Sequence, residues 1–380
     1  MSRVLIVYIT TGLSTGGAEI ILYRILSKIN REYFSPVVIS LMDYGRLGDK
    51  IEALDIPIYT IGIKKGMPPT PASIWRIIHI VRKLKPNLIQ GWMYHGNLAA
   101  QLVSYLSFTK IPVLWSIHSS IYSLGLTKKM TATVIKLCAG ISKAPSKIMY
   151  VSQIGKLQHE NLGYSNQNSC VIPNGTDTSV FKPSVEARLT VRKELGLSEN
   201  TFLIGLICRY HPMKDHANFL QAAAILLKNY PDTNFLLIGT EVTLENQILY
   251  QLIQELGIID RVHLLGERTD IPRLTAALDI ASSSSAYGEG WPLIIGEAMS
   301  CGVPCVVTDV GDSGWIVADT GRIVPPKNSE ALANAWQELL MMDSEQRQKL
   351  GMSARQRVVE NFSLEAVVNR YEAIYSEILK

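Results

Sequence analysis

The feature that most constrains the fold of this chain is a repeated alternation of short apolar runs with longer amphipathic segments. The first run, at 3–10, is almost continuously apolar, which is typical of a strand buried on both faces of a parallel sheet. Similar runs lie at 36–42, 56–61, 87–92, 111–118, 147–152, 169–175, 201–208, 233–240, 261–267, 279–284 and 304–310. Apolar residues at helical spacing predict helices at 20–29, 46–54, 73–85, 97–107, 215–228, 244–256, 270–278, 292–301, 329–341, 344–359 and 363–379. Strands that alternate with helices form βαβ units, so the sequence predicts an α/β fold with doubly wound parallel sheets.

The alternation stops and restarts once, which predicts two domains. The segment at 174–184 is rich in turn-forming residues and separates the two series. We therefore expect one Rossmann-like domain over 1–175 and a second over 176–360, facing each other across a cleft. Ligands of such sheets bind at the carboxyl ends of the strands, so the loops that follow the strands should carry the chemistry.

Charge is distributed unevenly along the chain. Residues 1–180 carry 19 Lys and Arg against 8 Asp and Glu, a net +11, whereas residues 181–380 carry 18 against 25, a net −7. No acidic residue occurs between Ile56 and His159, a stretch that holds 13 Lys and Arg. This asymmetry predicts that the first half faces an anionic partner. Nucleic acid is not favoured, because the basic residues lack the aromatic interleaving of a single-strand binder and no helix-turn-helix pattern is present.

Two basic segments, at 73–85 and 127–147, combine lysines and arginines with apolar residues at helical spacing. This pattern is typical of helices that lie on an anionic membrane surface. It also fits surface helices whose apolar stripe packs on the sheet. The sequence leaves both interpretations open.

Composition excludes several classes of protein. Apolar residues make up 47% of the chain and charged residues 18%, which does not fit a disordered protein. No apolar run approaches the ~18 residues that a membrane span needs. The five cysteines have no metal-like spacing, and we expect them to be reduced core residues of a cytoplasmic protein.

The first strand is followed by a glycine-rich turn at 11–19. The turn lacks the G-x-G-x-x-G spacing of a dinucleotide site, so a nicotinamide enzyme is poorly supported. Gly16 and Gly17 would let a ligand approach the backbone where the next helix begins. A purely structural turn is the alternative.

The corresponding turn of the second domain carries charge. Arg209 and Lys214 lie on either side of the turn after the strand at 201–208. A guanidinium and an ammonium aimed at a helix N-terminus suit a diphosphate. Two solvated surface cations would be the structural alternative.

Two glutamates flank the start of a helix in the same domain. Glu289 lies in a Gly- and Pro-containing turn, and Glu297 follows eight residues later. The helix N-terminus attracts anions, whereas carboxylates would repel a phosphate and instead accept hydrogen bonds from hydroxyl groups. A ligand with a central diphosphate and a hydroxyl-rich ring on each side satisfies both, so the residues predict a nucleotide sugar.

The stretch "EGWPLIIGE" at 289–297 resembles the E-x7-E signature of retaining GT-B glycosyltransferases of glycosyltransferase family 4, in particular the bacterial branch that builds surface polysaccharides and exopolysaccharides. The same resemblance extends over nearly the whole chain, through the motifs at 16–19, 171–177, 209–220, 262–272 and 296–312. It implies that a final helix, placed over 361–380, crosses back to the first domain. Closure about the hinge at 174–184 would then expel water.

The resemblance also assigns roles. It implies that Glu289 contacts the donor sugar and Glu297 the ribose, and that Arg209 and Lys214 bind the diphosphate. His118 matches an active-site histidine near the sugar. Other residues implied on the donor side are Gly16, Gly17, Glu267, Arg268, Gly290, Trp291, Pro292 and Leu293. On the acceptor side the resemblance points to His95 and Asn97.

The implied activity is transfer of a hexose, most simply glucose from UDP-glucose, with retention at the anomeric carbon. No carboxylate is placed as a covalent nucleophile, so the family's front-side mechanism fits, in which the leaving diphosphate takes the acceptor proton. The chain has no Asp-x-Asp pair, and we expect neither a metal nor another cofactor. The acceptor would be a sugar or a polyprenyl-diphosphate-linked sugar at the inner face of the membrane.

Two other functions remain open at this point. A UDP-sugar epimerase can share two doubly wound domains, and an epimerised nucleotide formed without acceptor would identify it. A glycosyltransferase-like partner subunit with a silent site is the third hypothesis. The presence of Glu289, Glu297, Arg209, Lys214 and His118 favours the transferase.

Overall fold

The computed structural model describes residues 3–14, 16–107, 111–121 and 124–380. The chain forms two compact units, one made of residues up to 175 together with 364–380, and the other of residues 176–363. The first unit therefore ends at 175, and the chain returns to it at Leu364, three residues after the boundary expected at 361.

The first unit is built on a seven-stranded parallel sheet with strand order β3-β2-β1-β4-β5-β6-β7. Its strands are β1 Val4–Thr10, β2 Phe34–Ser40, β3 Ile58–Thr60, β4 Leu88–Trp92, β5 Val113–Ile117, β6 Lys147–Tyr150 and β7 Ser169–Val171. Its helices within the first 175 residues are α1 Gly17–Lys28, α2 Gly48–Glu52, α3 Pro71–Leu84, α4 Met93–Leu106, α5 Lys129–Gly140 and α6 Gln153–Asn161. The doubly wound sheet predicted from the sequence is confirmed.

Three helices of this unit share one face of the sheet. Buried residues of α3, α4 and α5 join those of β1, β4 and β5 in one apolar core, among them Ile77, Val103 and Ile135. The strands alternate sides, so that Val7 and Ile9 face this layer. The apolar stripes of α3 and α5 thus pack on the sheet, while their basic residues remain on the outside.

The second unit repeats the architecture with six parallel strands in the order β10-β9-β8-β11-β12-β13. The strands are β8 Leu203–Ile207, β9 Asn234–Ile238, β10 Val262–Leu264, β11 Ile280–Ser283, β12 Cys305–Thr308 and β13 Arg322–Val324. The helices are α7 Val185–Glu194, α8 His216–Leu227, α9 Gln247–Glu255, α10 Ile271–Ala276, α11 Leu293–Ser300, α12 Ser313–Val317, α13 Ser329–Met341 and α14 Ser344–Asn361. Both units are Rossmann-like, as predicted.

The last helix, α15 (Leu364–Ile378), packs in the first unit. The hydroxyl of Tyr375 lies 3.0 Å from that of Tyr8 on β1, and its ring meets Phe34 edge-on. Glu365 pairs with Lys28 at 3.4 Å. Apolar packing and a buried polar contact therefore both hold this helix on the sheet.

One helix begins earlier than its pattern predicts. The helix expected at 97–107 starts at Met93, whose φ of +64° is unusual for a residue other than glycine. A Cβ at Gly96 would lie 2.2 Å from the carbonyl oxygen of Ile9, so the glycine lets α4 approach β1 closely. His95 and Asn97 consequently lie in the first turns of a helix.

Several short elements were not predicted. The segment expected to be helical over 127–147 contains α5 only over Lys129–Gly140. The helices α6, α7 and α12 and the edge strand β13 carry few apolar residues or are very short, so their periodicity is weak. Across the described parts of the chain, no helix is both long and apolar enough to span a bilayer.

Candidate active site

The strand order of the second unit locates a ligand crevice. β8 lies between β9 and β11, and the chain winds in opposite directions from this point. In open parallel sheets ligands bind where the order reverses, at the carboxyl ends of the two strands. Arg209 and Lys214 follow β8, and the loop at 284–292 follows β11, so the two charged motifs of the sequence meet at this switch point.

The centre of the site is an ion pair between Lys214 and Glu289. The Lys214 Nζ atom contacts Glu289 Oε1, and the hydroxyl of Ser285 donates to the same oxygen at 2.6 Å. The side chains of Lys214 and Glu289 are only 17% and 8% exposed. The sequence analysis assigned Lys214 to the diphosphate and Glu289 to the donor sugar, whereas the structure places the two side chains in direct contact.

The turn that carries Lys214 is tied to the loop that carries Glu289. The backbone N–H of Ala286 donates to the carbonyl of Met213 at 2.8 Å. The hydroxyl of Ser284 donates to the carbonyl of Lys214 at 2.8 Å. Thr308, at the end of β12, donates to the carbonyl of Ser285 at 2.7 Å. These bonds hold both charged side chains on rigid backbone.

A glycine supports the backbone behind Glu289. Gly311 has a φ of +63°, and a Cβ at this position would lie 2.4 Å from the carbonyl oxygen of Glu289. The next residue, Asp312, donates its N–H to the carbonyl of Gly290 at 3.1 Å. The position of Glu289 therefore depends on the absence of a side chain at 311.

Glu297 lies in α11, the helix that begins directly after this loop. It is 8% exposed. Pro292 is the N-cap residue and provides no side-chain cap. The N–H of Ile295 donates to the carbonyl of Pro292 at 3.3 Å. The two preceding N–H groups, of Leu293 and Ile294, lie at the positive end of the helix, which favours an anion there.

The remaining donor-side residues of the sequence prediction take different positions. Arg209 and Glu267 are exposed. Arg268 uses its guanidinium in bonds of 2.9 Å to Asp270 and 2.8 Å to Glu194, so it serves an ion-pair cluster on the surface. Gly290 and Leu293 are half-buried and Pro292 is buried, as parts of the loop and the start of α11.

Trp291 has a packing role. Its ring meets those of Trp315 and Phe362 edge-on, at centroid distances of 5.3 and 5.0 Å. The side chain is 7% exposed. The aromatic cluster anchors the end of the loop at 284–292, and the Trp291 ring is not presented to solvent.

The first unit has its own switch point, between β1 and β4. Gly16 is the N-cap residue of α1 and Gly17 its first residue. A Cβ at Gly17 would meet no atom within 4 Å, whereas one at Gly16 would lie 2.2 Å from Glu19 Oε2. The Glu19 carboxylate therefore lies over its own helix start. Thr15, within the same turn, lies outside the described residues.

His118 follows β5 and is held from three sides. Its ring stacks on Trp92 at a centroid distance of 4.2 Å. Its backbone N–H donates to Met93 Sδ at 3.3 Å, and its Nδ1 lies 3.3 Å from Asn174 Oδ1. Burial lowers the pKa of His118 to about 3, against a smaller opposing effect of Asn174, so the imidazole is neutral at neutral pH.

The two acceptor-side residues differ in accessibility. His95 is half-buried, and burial lowers its pKa. Asn97 is 1% exposed and bonds the backbone of Ser116 through both its amide nitrogen (3.2 Å) and its oxygen (3.3 Å). The Asn97 amide therefore joins α4 to β5 and is not presented to a ligand.

Sequence reasoning missed Ser285, Trp92 and Asn174. Asn174 had a visible signal, because it lies within the motif at 171–177. Trp92 ends a strand whose carboxyl end was expected to line a site. Ser285 had no such signal, since it is one of four consecutive serines at 282–285.

Comparisons with known proteins bear on the family and the fold of the chain. The family model described as "Glycosyltransferase Family 4" matches residues 15–180, and that described as "Glycosyl transferases group 1" matches residues 187–357. The chain belongs to glycosyltransferase family 4. The two matches together cover both Rossmann-like units of this family 4 protein.

Its relatives include a galactosyltransferase and a synthase. It is 29% identical over 213 residues to an Escherichia coli UDP-Gal:alpha-D-GlcNAc-diphosphoundecaprenol alpha-1,3-galactosyltransferase, covering 55% of this chain and 54% of that one. It is 32% identical over 192 residues to the Bacillus anthracis N-acetyl-alpha-D-glucosaminyl L-malate synthase, covering 50% of this chain and 49% of that one. Each alignment thus spans about half the length of the curated relative.

Solved structures confirm the GT-B fold. The Anabaena protein HepE, crystallised in complex with UDP, superimposes with a TM-score of 0.86 over 98% of this chain and 99% of that one, at 23% identity. At this identity the likeness concerns the fold.

Proposed function

We propose that this family 4 protein is a retaining hexosyltransferase that moves a sugar from a UDP-sugar donor, glucose in the first instance, to a sugar or lipid-linked sugar acceptor. The product would be part of a bacterial surface polysaccharide or exopolysaccharide. One relative is a galactosyltransferase that acts on a diphosphoundecaprenol-linked sugar, and one structural neighbour was crystallised in complex with UDP. Both support this class of donor and acceptor.

The observation that carries the proposal is the buried Lys214–Glu289 pair at the switch point of the second unit, where Glu289 lies in the loop that leads into α11 with its buried Glu297. Desolvation of both charges opposes the burial of this pair, so the pair is weak evidence for a purely stabilising role. We propose that the two side chains of this pair separate when the donor binds in the crevice. Lys214 would then turn toward the diphosphate, and Glu289 would accept from hydroxyls of the donor sugar.

The remaining roles follow from chemistry. Glu297 is proposed to accept hydrogen bonds from the ribose, while Arg209 and the N–H groups of α11 add positive potential for the diphosphate. In the reaction, the bond between the anomeric carbon and the diphosphate oxygen breaks, and the acceptor oxygen bonds to the same face of that carbon. The acceptor proton passes to the leaving diphosphate, whose charge the cations stabilise. We propose that these side-chain cations replace a metal.

We further propose that a basic face of the first unit contacts an anionic membrane. Neighbouring helices α3, α4 and α5 expose large apolar side chains, of which Trp75 is 66%, Tyr105 57% and Leu137 53% exposed. Arg82 donates to the carbonyl of Leu106 at 3.0 Å and so ties α3 to α4. We call the outer surface of these three helices the basic face.

The charge of the basic face favours lipid as its partner. Its exposed cations are Arg76, Arg82, Lys83, Lys128, Lys129 and Lys136. No acidic residue occurs anywhere between Ile56 and His159. Apolar side chains interspersed with cations of a single sign suit the interface of an anionic bilayer, which would hold a lipid-linked acceptor. Such contact would place the protein at the cytoplasmic side of the plasma membrane.

A donor screen tests the proposed function. The protein is incubated with a panel of nucleotide sugars, and release of the nucleotide by slow hydrolysis is measured for each, with UDP-glucose expected to react. Addition of a polyprenyl-diphosphate-linked sugar should accelerate release and produce an α-linked product. An epimerised UDP-sugar formed without acceptor, or no turnover of any donor, would contradict the proposal.

A further inference from the structure

Three aromatic rings of the second unit form a closed triangle at the end of the loop at 284–292. Trp291 meets Trp315 and Phe362 edge-on at centroid distances of 5.3 and 5.0 Å, and Trp315 meets Phe362 edge-on at 5.6 Å. Edge-to-face pairs at this spacing are favourable beyond the area that they bury. Trp291 lies two residues after Glu289, so the triangle fixes the backbone next to the carboxylate that is proposed to meet the donor sugar.

The three rings come from separate segments of the chain. Trp291 precedes α11, Trp315 lies in α12, and Phe362 directly follows α14. Phe362 is held in turn by its backbone, because its carbonyl accepts from the N–H of Thr176 at 2.9 Å. A side chain on a loop is placed as firmly as the contacts that support the loop, and this triangle is such a support.

Arg357 of α14 fixes the ring that is least covered. Trp315 is 36% exposed. The guanidinium of Arg357 donates to the carbonyl of Trp315 at 2.7 Å and to that of Ile316 at 2.9 Å, and it lies 5.4 Å from the centre of the Phe362 ring. A planar guanidinium that binds two carbonyls and faces an aromatic ring orients all three groups together.

The residues just before α12 also contact the loop through the backbone. The N–H of Asp312 donates to the carbonyl of Gly290 at 3.1 Å, and Gly311 packs against the carbonyl of Glu289. Backbone contacts at Glu289 and Gly290 are thus followed directly by the ring contact at Trp291. A shift of α12 would therefore be passed on to the Glu289 carboxylate.

We propose that Trp315 is a positioning residue for the transfer reaction. Together with Phe362 it holds the Trp291 ring, and the loop in turn holds the Glu289 carboxylate against the donor sugar. This inference rests on the proposed function for the identity of the ligand. Trp315 does not touch the ligand in this account, so its loss should impair transfer of the sugar far more than binding of UDP.

A second triangle of rings in the same unit provides a matched control. Phe235 meets Phe219 at a centroid distance of 5.9 Å and Trp336 at 5.8 Å, and Phe219 meets Trp336 at 5.0 Å. Phe235 is the second residue of β9 and lies toward the amino end of that strand, whereas the ligand crevice lies at the carboxyl ends. Phe235→Leu therefore removes the same kind of contact at the opposite end of the sheet.

The experiment compares Trp315→Leu, Trp315→Phe and Phe235→Leu with the wild type by turnover of UDP-glucose, calorimetry with UDP and chemical denaturation. Trp315→Leu should lower kcat/KM for UDP-glucose by ~10-fold or more and change UDP affinity far less. Trp315→Phe keeps an aromatic edge in the triangle and should recover most of the activity. Phe235→Leu should lower the free energy of unfolding and keep wild-type kcat/KM.

Three results would overturn the positioning role. They are wild-type kcat/KM in Trp315→Leu, equal losses of kcat/KM in Trp315→Leu and Phe235→Leu, and a loss of UDP affinity in Trp315→Leu as large as its loss of kcat/KM. Equal activity of Trp315→Phe and Trp315→Leu would likewise overturn it, because the aromatic contact would then be irrelevant.

A double-mutant cycle of Trp291→Leu with Trp315→Leu tests the contact without any assay of activity. The two losses in the free energy of unfolding should be less than additive, because each variant already breaks the contact that they share. Additive losses would overturn the proposal. Less-than-additive losses in a protein that transfers sugar from no donor would contradict the proposed function instead.

Discussion

Replacing Gly311 with alanine should misplace Glu289 without removing any group from the site. A Cβ at 311 would lie 2.4 Å from the Glu289 carbonyl oxygen, 2.8 Å from its carbonyl carbon and 3.0 Å from its Cβ. The loop must therefore move by several tenths of an ångström. Misplacement of a reacting group by ~1 Å can cost about 100-fold in rate, so we expect kcat/KM for UDP-glucose to fall by ~10- to 100-fold.

The effect on stability separates into two parts. Alanine at the φ of +63° costs ~1–2 kcal/mol, and the steric overlap adds ~1–3 kcal/mol. Gly257→Ala is the matched control, because Gly257 has a φ of +67° and a Cβ there would meet no atom within 4 Å. The control should lose only the first part and keep wild-type turnover.

Three measurements check this reasoning: the free energy of unfolding in denaturant, UDP affinity by calorimetry and turnover of UDP-glucose. UDP has no donor sugar, so its affinity for Gly311→Ala should change far less than kcat/KM does. If Gly311→Ala matched Gly257→Ala in both stability and turnover, the inference that residue 311 positions Glu289 would be refuted.

Three further predictions follow from the site and the basic face. Lys214→Met and Glu289→Gln should each destabilise the protein by ~3–5 kcal/mol, because the other charge stays buried. The double variant should lose less than the sum of the two. Chemical denaturation measures these free energies of unfolding, and additive losses would exclude coupling. Activity should survive excess chelator, whereas its loss would show a metal requirement. The wild type should float with phosphatidylglycerol vesicles at low salt, and a smaller fraction of Lys136→Glu should do so. The control Lys228→Glu should float like the wild type. Equal flotation of all three proteins would argue against membrane contact by the basic face.

Most of the fold could be predicted because buried parallel strands leave a clear pattern. Runs such as that at 201–208 are apolar because both faces of the strand are covered. The elements that were missed are short or polar, as α7 is, and their position depends on tertiary contacts. The early start of α4 at Met93 depends on the packing of Gly96 against Ile9, which no local pattern encodes.

The candidate site could be located but not assembled from the sequence. Strand ends placed Arg209, Lys214 and His118 near ligand crevices, and the acidic spacing identified Glu289 and Glu297. The direct contact of Lys214 with Glu289 was not predictable, because their separation along the chain does not reveal which side chains turn toward each other. For the same reason the ion pairs of Arg268 and the packing of Trp291 appeared only in the structure.

The central claim is that Lys214 and Glu297 belong to a binding site for UDP-sugars. Calorimetric titration of UDP into the wild type, Lys214→Ala and Glu297→Ala tests it most directly, with circular dichroism to confirm folding. The exposed residues Lys228 and Glu255 of the same unit provide matched charge controls as alanine variants. We expect UDP affinity to fall at least ~10-fold in both site variants, the effect of losing one charged hydrogen bond, and to stay unchanged in both controls. Wild-type UDP affinity in both site variants would contradict the claim.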